Sequence, residues 1–325
     1  MRVLYIVDNY PHLSESYIRT EIDYIRSVGI EDRVYARYQA SAPYDAGGVV
    51  YYGTSLEAAV EDFKPDVIHV HWSNLAVIFL EQLEKIGIPV TVRGHSFEHS
   101  DYAVSLLIKS PIIKKIFLFP HFVTSPQEKL VALSACYDPK LYYPAEKDPR
   151  LVFRASPGLS TKGLEGFIDI AKQVPNLSFV LALTRSLHDK DTVDRIMAFN
   201  ERIGHPVVIL LNLQHEQVAE ISRRARIYLR NFNPGAHPTG MPVSIFEAMA
   251  TGAIVLTQAG VLQQYLRGPG YVFNSADEAV GLLKKLINCG PETLESKRRL
   301  AIETAAQYAA PVVLQKLVLA WKALV

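Results

Sequence analysis

Lys162 and Glu247 are the charged residues whose neighbours most need a ligand to explain them. Lys162 closes the loop Arg154-Ala-Ser-Pro-Gly-Leu-Ser-Thr-Lys-Gly163, between an apolar run and an amphipathic one. A basic loop between strand and helix is a phosphate site in form, because the first helical turn leaves N–H groups unpaired. Arg154 opens that loop, and Arg185 stands at the carboxyl end of the next apolar run, Leu177 to Leu183. Glu247 is flanked by small and apolar residues in Val243-Ser-Ile-Phe-Glu-Ala-Met-Ala250. A carboxylate there costs desolvation unless hydroxyl groups donate to it. Thr239, Gly240, Met241 and Pro242 lead into the same segment, where a helix N-terminus can receive an anion. A second group, His69, His71, Arg93, His95, Glu98 and His99, gathers at the ends of two buried runs. Its histidines and carboxylate invite a metal reading, which the absence of the i, i+4 helical spacing opposes.

The elements that must position these residues alternate between strand and helix. Met1 to Val7, Arg33 to Ala36, Pro65 to Trp72 and the run from Pro89 read as strands. Helical spacing marks Leu13 to Arg26, capped by Ser14 or Ser16, and Leu56 to Phe63. Phe122 to Pro126 is expected to form a strand leading to a capped helix. In the second half, Leu151 to Phe153, Leu177 to Leu183, Pro206 to Leu211, Arg226 to Leu229 and Ile254 to Thr257 are strands. Helices are expected over Leu164 to Gln173, His215 to Arg224, Asp277 to Ile287 and Glu292 to Tyr308. Pro311 breaks the run before a last helix, Val312 to Leu324. The class is therefore α/β, and open α/β sheets bind ligands at the carboxyl ends of their strands.

The run Gly240-Met-Pro-x-x-x-x-Glu247-Ala-Met-Ala-x-Gly252, followed by Ile254-Val-Leu-Thr257, resembles the signature of glycosyltransferase family 4. That resemblance implies the GT-B fold: two Rossmann-like doubly wound domains facing a cleft, with a C-terminal helix crossing back to the first. It also implies a retaining, metal-independent transfer of a hexose from a nucleotide diphosphate sugar to a glycan or lipid-linked glycan acceptor. UDP-sugars are the first expectation and GDP-sugars the second. Lys162-Gly163 fits the family's diphosphate segment closely, Arg154 lies a little upstream of its Arg and requires a longer loop to take that contact, and Glu247 matches its ribose contact. Where the family places another glutamate, eight positions before Glu247, this chain has Thr239, which can bond the sugar, cap the helix or do both. Gln263 likewise stands where the family often has an acid. Arg93-Gly94 occupies the register of the family's His-Gly pair and His95 follows, so one of the two takes the role near the donor sugar. Pro11-x-Leu-Ser-Glu-Ser-Tyr-Ile18 is similar to the opening loop of one branch of the family. His188-Asp-Lys-Asp191 matches the Asp-x-Asp metal motif of the other large glycosyltransferase fold only superficially, since it opens a helix in the second half.

Length and composition narrow the alternatives. At 325 residues the chain suits two domains, expected at 1–146 and 147–309, with 310–325 as the returning helix. With 34 basic and 33 acidic residues the net charge is +1, which supports no nucleic-acid partner and requires any anion site to be local. Cys136 and Cys289 lie in no ligand-spaced cluster, and a reducing cytoplasm is the expected compartment. No apolar run reaches spanning length. Residues 102–122 mix apolar side chains with Lys109, Lys114 and Lys115, so they can either touch the inner face of a membrane peripherally or run into the core. A nicotinamide-dependent Rossmann enzyme ranks low, because no Gly-x-Gly-x-x-Gly follows the first strand. A non-catalytic nucleotide-sugar or carbohydrate-binding protein of the same fold is the stronger alternative, since Thr239 and Gln263 both replace acids.

Overall fold

Alternate residues of the first strand feed different cores: Val3, Tyr5 and Val7 join one apolar cluster, Leu4 and Ile6 another. A strand buried on both faces belongs in the middle of a parallel sheet covered by helices on each side. The computed structural model, which describes residues 1–325 except 96–100, 125–126, 186–188, 234–239, 259–265, 267 and the Asp101 side chain, has that arrangement twice. The first sheet holds β1 (Arg2–Tyr10), β2 (Glu31–Gln39), β3 (Val50–Tyr51), β4 (Val67–His71), β5 (Val90–Arg93), β6 (Ile113–Leu118) and β7 (Leu130–Ala132). Their order is β3-β2-β1-β4-β5-β6-β7, with every pairing parallel.

The second sheet holds β8 (Asp148–Pro157), β9 (Ser178–Thr184), β10 (Val207–Leu211), β11 (Ala225–Arg230), β12 (Ile254–Gln258) and β13 (Tyr271–Phe273). Its order is β10-β9-β8-β11-β12-β13, again parallel throughout. In each sheet the strand order reverses beside the first strand, between β1 and β4 and between β8 and β11. Such switch points open a crevice at the strands' carboxyl ends.

The first unit comprises Met1–Cys136, Thr239–Met241 and Ala310–Val325, and the second comprises Tyr137–Pro238 and Pro242–Ala309. Residues 137–146, assigned from sequence to the first domain, are therefore grouped with the second. Their bonds show why: the Arg223 Nη1 donates to the Leu141 carbonyl at 2.7 Å, and the Arg298 Nη2 to Ala145 at 3.0 Å. The terminal helices Ala310–Val313 and Gln315–Lys322 bury Leu314, Leu317 and Trp321 in the first unit's core.

Three local expectations change. The helix after β1 begins at Ser16 with Glu15 as its N-cap and no capping side chain, while the Ser14 hydroxyl lies 2.8 Å from His12 Nδ1. A single helical turn, Pro120–Phe122, and then β7 stand where a strand and capped helix were expected after Phe122. Residues 102–122 contain the end of a helix and then β6, an interior strand of the sheet, so Ile113, Ile116 and Phe117 are fully buried. Lys114 and Lys115 donate to the carbonyls of Pro111 and Glu128. No helix among the described residues is long and apolar enough to cross a membrane.

Candidate functional site

The second unit gathers three cations at its switch point. Arg154, on β8, is 1% exposed and donates to the Asn231 side chain, to the Asn231 carbonyl at 3.2 Å, and to the Lys162 carbonyl. Asn231, just beyond β11, returns a bond from Nδ2 to the Gly163 carbonyl at 2.7 Å. Arg154 and Asn231 thus clamp the loop that carries Lys162. Gly163 completes the turn at φ 62°, where an added Cβ would lie 2.5 Å from the Phe232 carbonyl carbon. Only glycine allows the two backbones to pass so closely.

Lys162 and Arg230 are the cations of this group that the clamp leaves available. No hydrogen bond or ion pair of the Lys162 ammonium is found among the described residues. Burial, with Arg230 and Arg154 nearby, pushes its pKa down to about 8. Arg230, the last residue of β11, stacks over Phe232 at 4.7 Å, and its Nη1 is buried without a hydrogen-bond partner among the described residues. Burial lowers the pKa of Arg154 and of Arg230 as well. A guanidinium stays protonated in any case, so the lowering reports charges taken out of water without a carboxylate to offset them.

Glu247 is 6% exposed on the helix Val243–Ala250. The buried Tyr142 hydroxyl hydrogen-bonds it, so part of the desolvation cost inferred from sequence is met by the protein's own hydroxyl. Pro242 is the N-cap of this helix, Met241 is buried and Gly240 is partly exposed. Arg185 is partly exposed and ion-paired with Asp194 at 2.7 Å, so its guanidinium is engaged by a neighbouring carboxylate. Thr239, Gln263, Glu98, His99 and His188 lie outside the described residues.

The first unit holds a separate polar cluster. Glu21, His69 and His71 are fully buried, and Arg93 is 2% exposed. Arg93 points inward, donating to the Glu21 carboxylate and, at 3.1 Å, to the Ser134 carbonyl. The other Glu21 oxygen lies 3.2 Å from His69 Nε2 and 3.4 Å from His71 Nε2. Burial alone would raise the Glu21 carboxyl, but Arg93, His71 and His69 bring it well below the usual range. His71 Nδ1 lies 2.8 Å from His95 Nε2, so His95 is tied to the cluster's outer end. Glu21, His69 and His71 converge as metal ligands would. A divalent ion there would share one buried carboxylate with a buried guanidinium, which weighs against it.

Sequence reasoning missed Glu21, Arg230, Asn231 and Tyr142. Glu21 was hidden within the apolar stripe of Ile18, Ile22 and Ile25. Arg230 and Asn231 carried the signal used for His69 and His71, polar residues ending a buried strand, and could have been found by it.

Two parallel, doubly wound sheets with the last helices returned to the first unit define the GT-B fold class. The chain is similar to Anabaena HepE in complex with UDP-glucose, with a TM-score of 0.80 and 15% identity over 99% of this chain and 100% of that one. It is similar to the sucrose-phosphate synthase of Thermosynechococcus elongatus, with a TM-score of 0.77 and 14% identity over 100% and 99%. A glycosyltransferase from Rickettsia africae matches with a TM-score of 0.76 and 12% identity over 99% and 98%. No protein-family model matches the chain, and no curated protein matches its sequence.

Proposed function

We propose that the chain is a retaining glycosyltransferase that moves a hexose from a nucleotide diphosphate sugar to a hydroxyl of a glycan or lipid-linked glycan, without a metal ion. The observation that carries this reading is the group Arg154, Lys162 and Arg230, in which Arg230 Nη1 is buried without a partner among the described residues. Breaking a bond between an anomeric carbon and a diphosphate leaves negative charge on the departing phosphate, and preorganised cations stabilise it most effectively where water is excluded. Lys162 and Arg230 would hold the diphosphate, with Arg154 fixing the loop. Glu247 would accept from the ribose hydroxyls, and the helix start at Gly240, Met241 and Pro242 would add N–H donors. With Arg93 engaged by Glu21, His95 takes the contact to the donor sugar. The C1–oxygen bond breaks with its electron pair passing to the diphosphate. The acceptor oxygen bonds to C1 on the same face, and its proton passes to the leaving phosphate. UDP-sugars come first and GDP-sugars second, an order supported by the UDP-glucose complex of HepE.

The deciding experiment measures binding by calorimetry and nucleotide release for UDP-, GDP- and ADP-sugars, with and without EDTA. Saturable binding of one class and turnover that survives chelation are expected. Turnover lost to EDTA and restored by Mg²⁺ or Mn²⁺ would overturn metal independence, and no binding at all would overturn the whole reading. Binding without turnover selects the second reading, a nucleotide-sugar-binding protein, which Thr239 and Gln263 in place of acids favour.

A further inference from the structure

We propose that Asp189 is a positioning residue for the cation group of the second unit: by holding Ser160 it locks the first half of the Lys162 loop and so fixes where the Lys162 ammonium stands. For its ligand the inference rests on the transfer reading above; the placement of Lys162 does not.

Asp189 is the N-cap of the helix Lys190–Arg202, yet its side chain accepts no N–H of that helix. An aspartate at an N-cap ordinarily does so. Here one carboxylate oxygen accepts from the Thr192 hydroxyl, and the other accepts the Ser160 N–H at 2.7 Å. The Ser160 hydroxyl bonds the carboxylate as well. The bonds from Thr192 and then from Ser160 hold the Asp189 carboxyl down at about 2, so the acceptor is ionised at neutral pH.

The neighbouring residues of the loop are held too. The Gly158 N–H donates to the Thr184 carbonyl at 2.8 Å, and a Cβ on Gly158 would lie 2.5 Å from Cγ2 of Val193, which is fully buried on the helix that Asp189 opens. The N–H groups of Leu159 and Lys162 bond the carbonyls of Pro157 and Leu159, and Asn233 Nδ2 donates to the Ser160 carbonyl. Gly158, Leu159, Ser160 and Lys162 thus all use their N–H groups within the protein, which leaves the Lys162 side chain as the loop's main means of meeting an anion. Arg154 and Asn231 hold the loop at Lys162 and Gly163, and Asp189 holds it at Ser160. A buried ammonium beside two guanidinium groups gains by moving into water, so it keeps its place only while the loop is fixed at both ends. The Asp-x-Asp run is accounted for in the same way. Its first carboxylate is engaged by Ser160 and Thr192, and its second, Asp191, lies in the first turn of a helix, where the dipole favours an acid.

Nuclear magnetic resonance of the ligand-free full chain tests the placement. The Ser160 amide, on an exposed residue, should be protected from hydrogen exchange; exchange at the rate of an unbonded amide overturns the proposal, whether or not any variant folds. In lysine-labelled chain, with Lys162 identified by its absence from Lys162→Arg, its titration midpoint near 8 should rise in Asp189→Ala toward the ordinary value near 10.4. Loss of a negative charge alone would lower that midpoint, so a rise reports movement of the loop. Asp189→Asn keeps an acceptor for Ser160 and should stay near the natural value, as should Asp191→Ala. An unchanged or lowered midpoint in Asp189→Ala, or an equal rise in Asp189→Asn, overturns the role. So does broadening of Lys162 by Mn²⁺ that disappears in both aspartate variants, which would mark a metal site. In kinetics, Asp189→Ala should raise donor KM about fivefold at pH 7, and Asp189→Asn should recover most of it. A raised midpoint with unchanged KM would leave the placement standing and put the diphosphate elsewhere, so failure of the transfer reading is distinguishable from failure of this one.

Discussion

Lys162 is held in a buried position that costs the fold, a cost that an anion bound there would offset. Its pKa, lowered to about 8, means that above this value the folded chain has lost a proton the unfolded chain retains. The unfolded state then binds more protons, so this group makes stability rise with pH through the window from about 8 toward the ordinary lysine value near 10.4. At neutral pH, where both states are charged, the cost of burying this charge, with the repulsion from Arg230 and Arg154 added, is fully present. Lys162→Met should therefore raise the thermal midpoint at pH 7 while weakening donor binding by about 1.5–3 kcal/mol, and Arg230→Met should weaken binding similarly. Donor KM of the natural chain should rise between pH 7 and 9, and Lys162→Arg should flatten that limb. If KM is unchanged in the Met variants, the diphosphate lies elsewhere. Thr239 is tested by two substitutions. Thr239→Val should cost about tenfold in transfer through a lost contact of roughly 1.4 kcal/mol. Thr239→Glu should awaken hydrolysis in a binding protein but cost a specialised enzyme its donor. No response to either would mean that residues other than Thr239 hold the sugar.

At the level of elements, the loop between β8 and the helix Leu164–Lys172 is fixed by a close backbone approach in addition to the Arg154 and Asn231 side chains. Gly163 is left-handed and lies against the Phe232 main chain, which belongs to the segment after β11. Gly163→Ala meets both an unfavourable φ and backbone atoms that cannot rotate away, and should destabilise by at least about 1–2 kcal/mol. The same shift would move the Lys162 carbonyl from Arg154, so donor KM should rise with the loss of stability. Denaturant titration and donor kinetics on one preparation check both, and a stable Ala variant with normal KM would show that the close approach is dispensable. The segment Ile113–Leu118 carries the opposite lesson. Its lysines use backbone carbonyls, and its apolar side chains are spent inside the sheet.

For the whole molecule, the C-terminal helices are part of the first unit's core and not an appendage. Trp321 is fully buried there and bonds Thr91, which leads to His69 and Glu21. Trp321→Ala removes a large side chain and a buried donor at once, and should cost about 3–5 kcal/mol. Urea unfolding followed by hydrogen exchange should show protection lost first in β1, β4 and β5, with the second unit's strands retaining theirs. Uniform loss across both sheets would mean that the units unfold as one.

Much of this was legible in the residues themselves. Alternation of apolar runs with helical spacing, the loop from Arg154 to Gly163 and the segment around Glu247 each carry a local signal that needs only neighbours in sequence. Strand order was not written locally, nor was the company each charge keeps. Arg93 and Arg154 read as ligand contacts because a strand-end arginine is ambiguous until its partners are known. The structure turns both inward, to Glu21 and to Asn231, residues 72 and 77 positions away in sequence. Arg230 reads as an ordinary strand end until β8 and β11 pair and bring it beside Lys162. Long-range pairing decides such roles, because the energy of a buried charge depends on what surrounds it in space and only weakly on what precedes it in the chain.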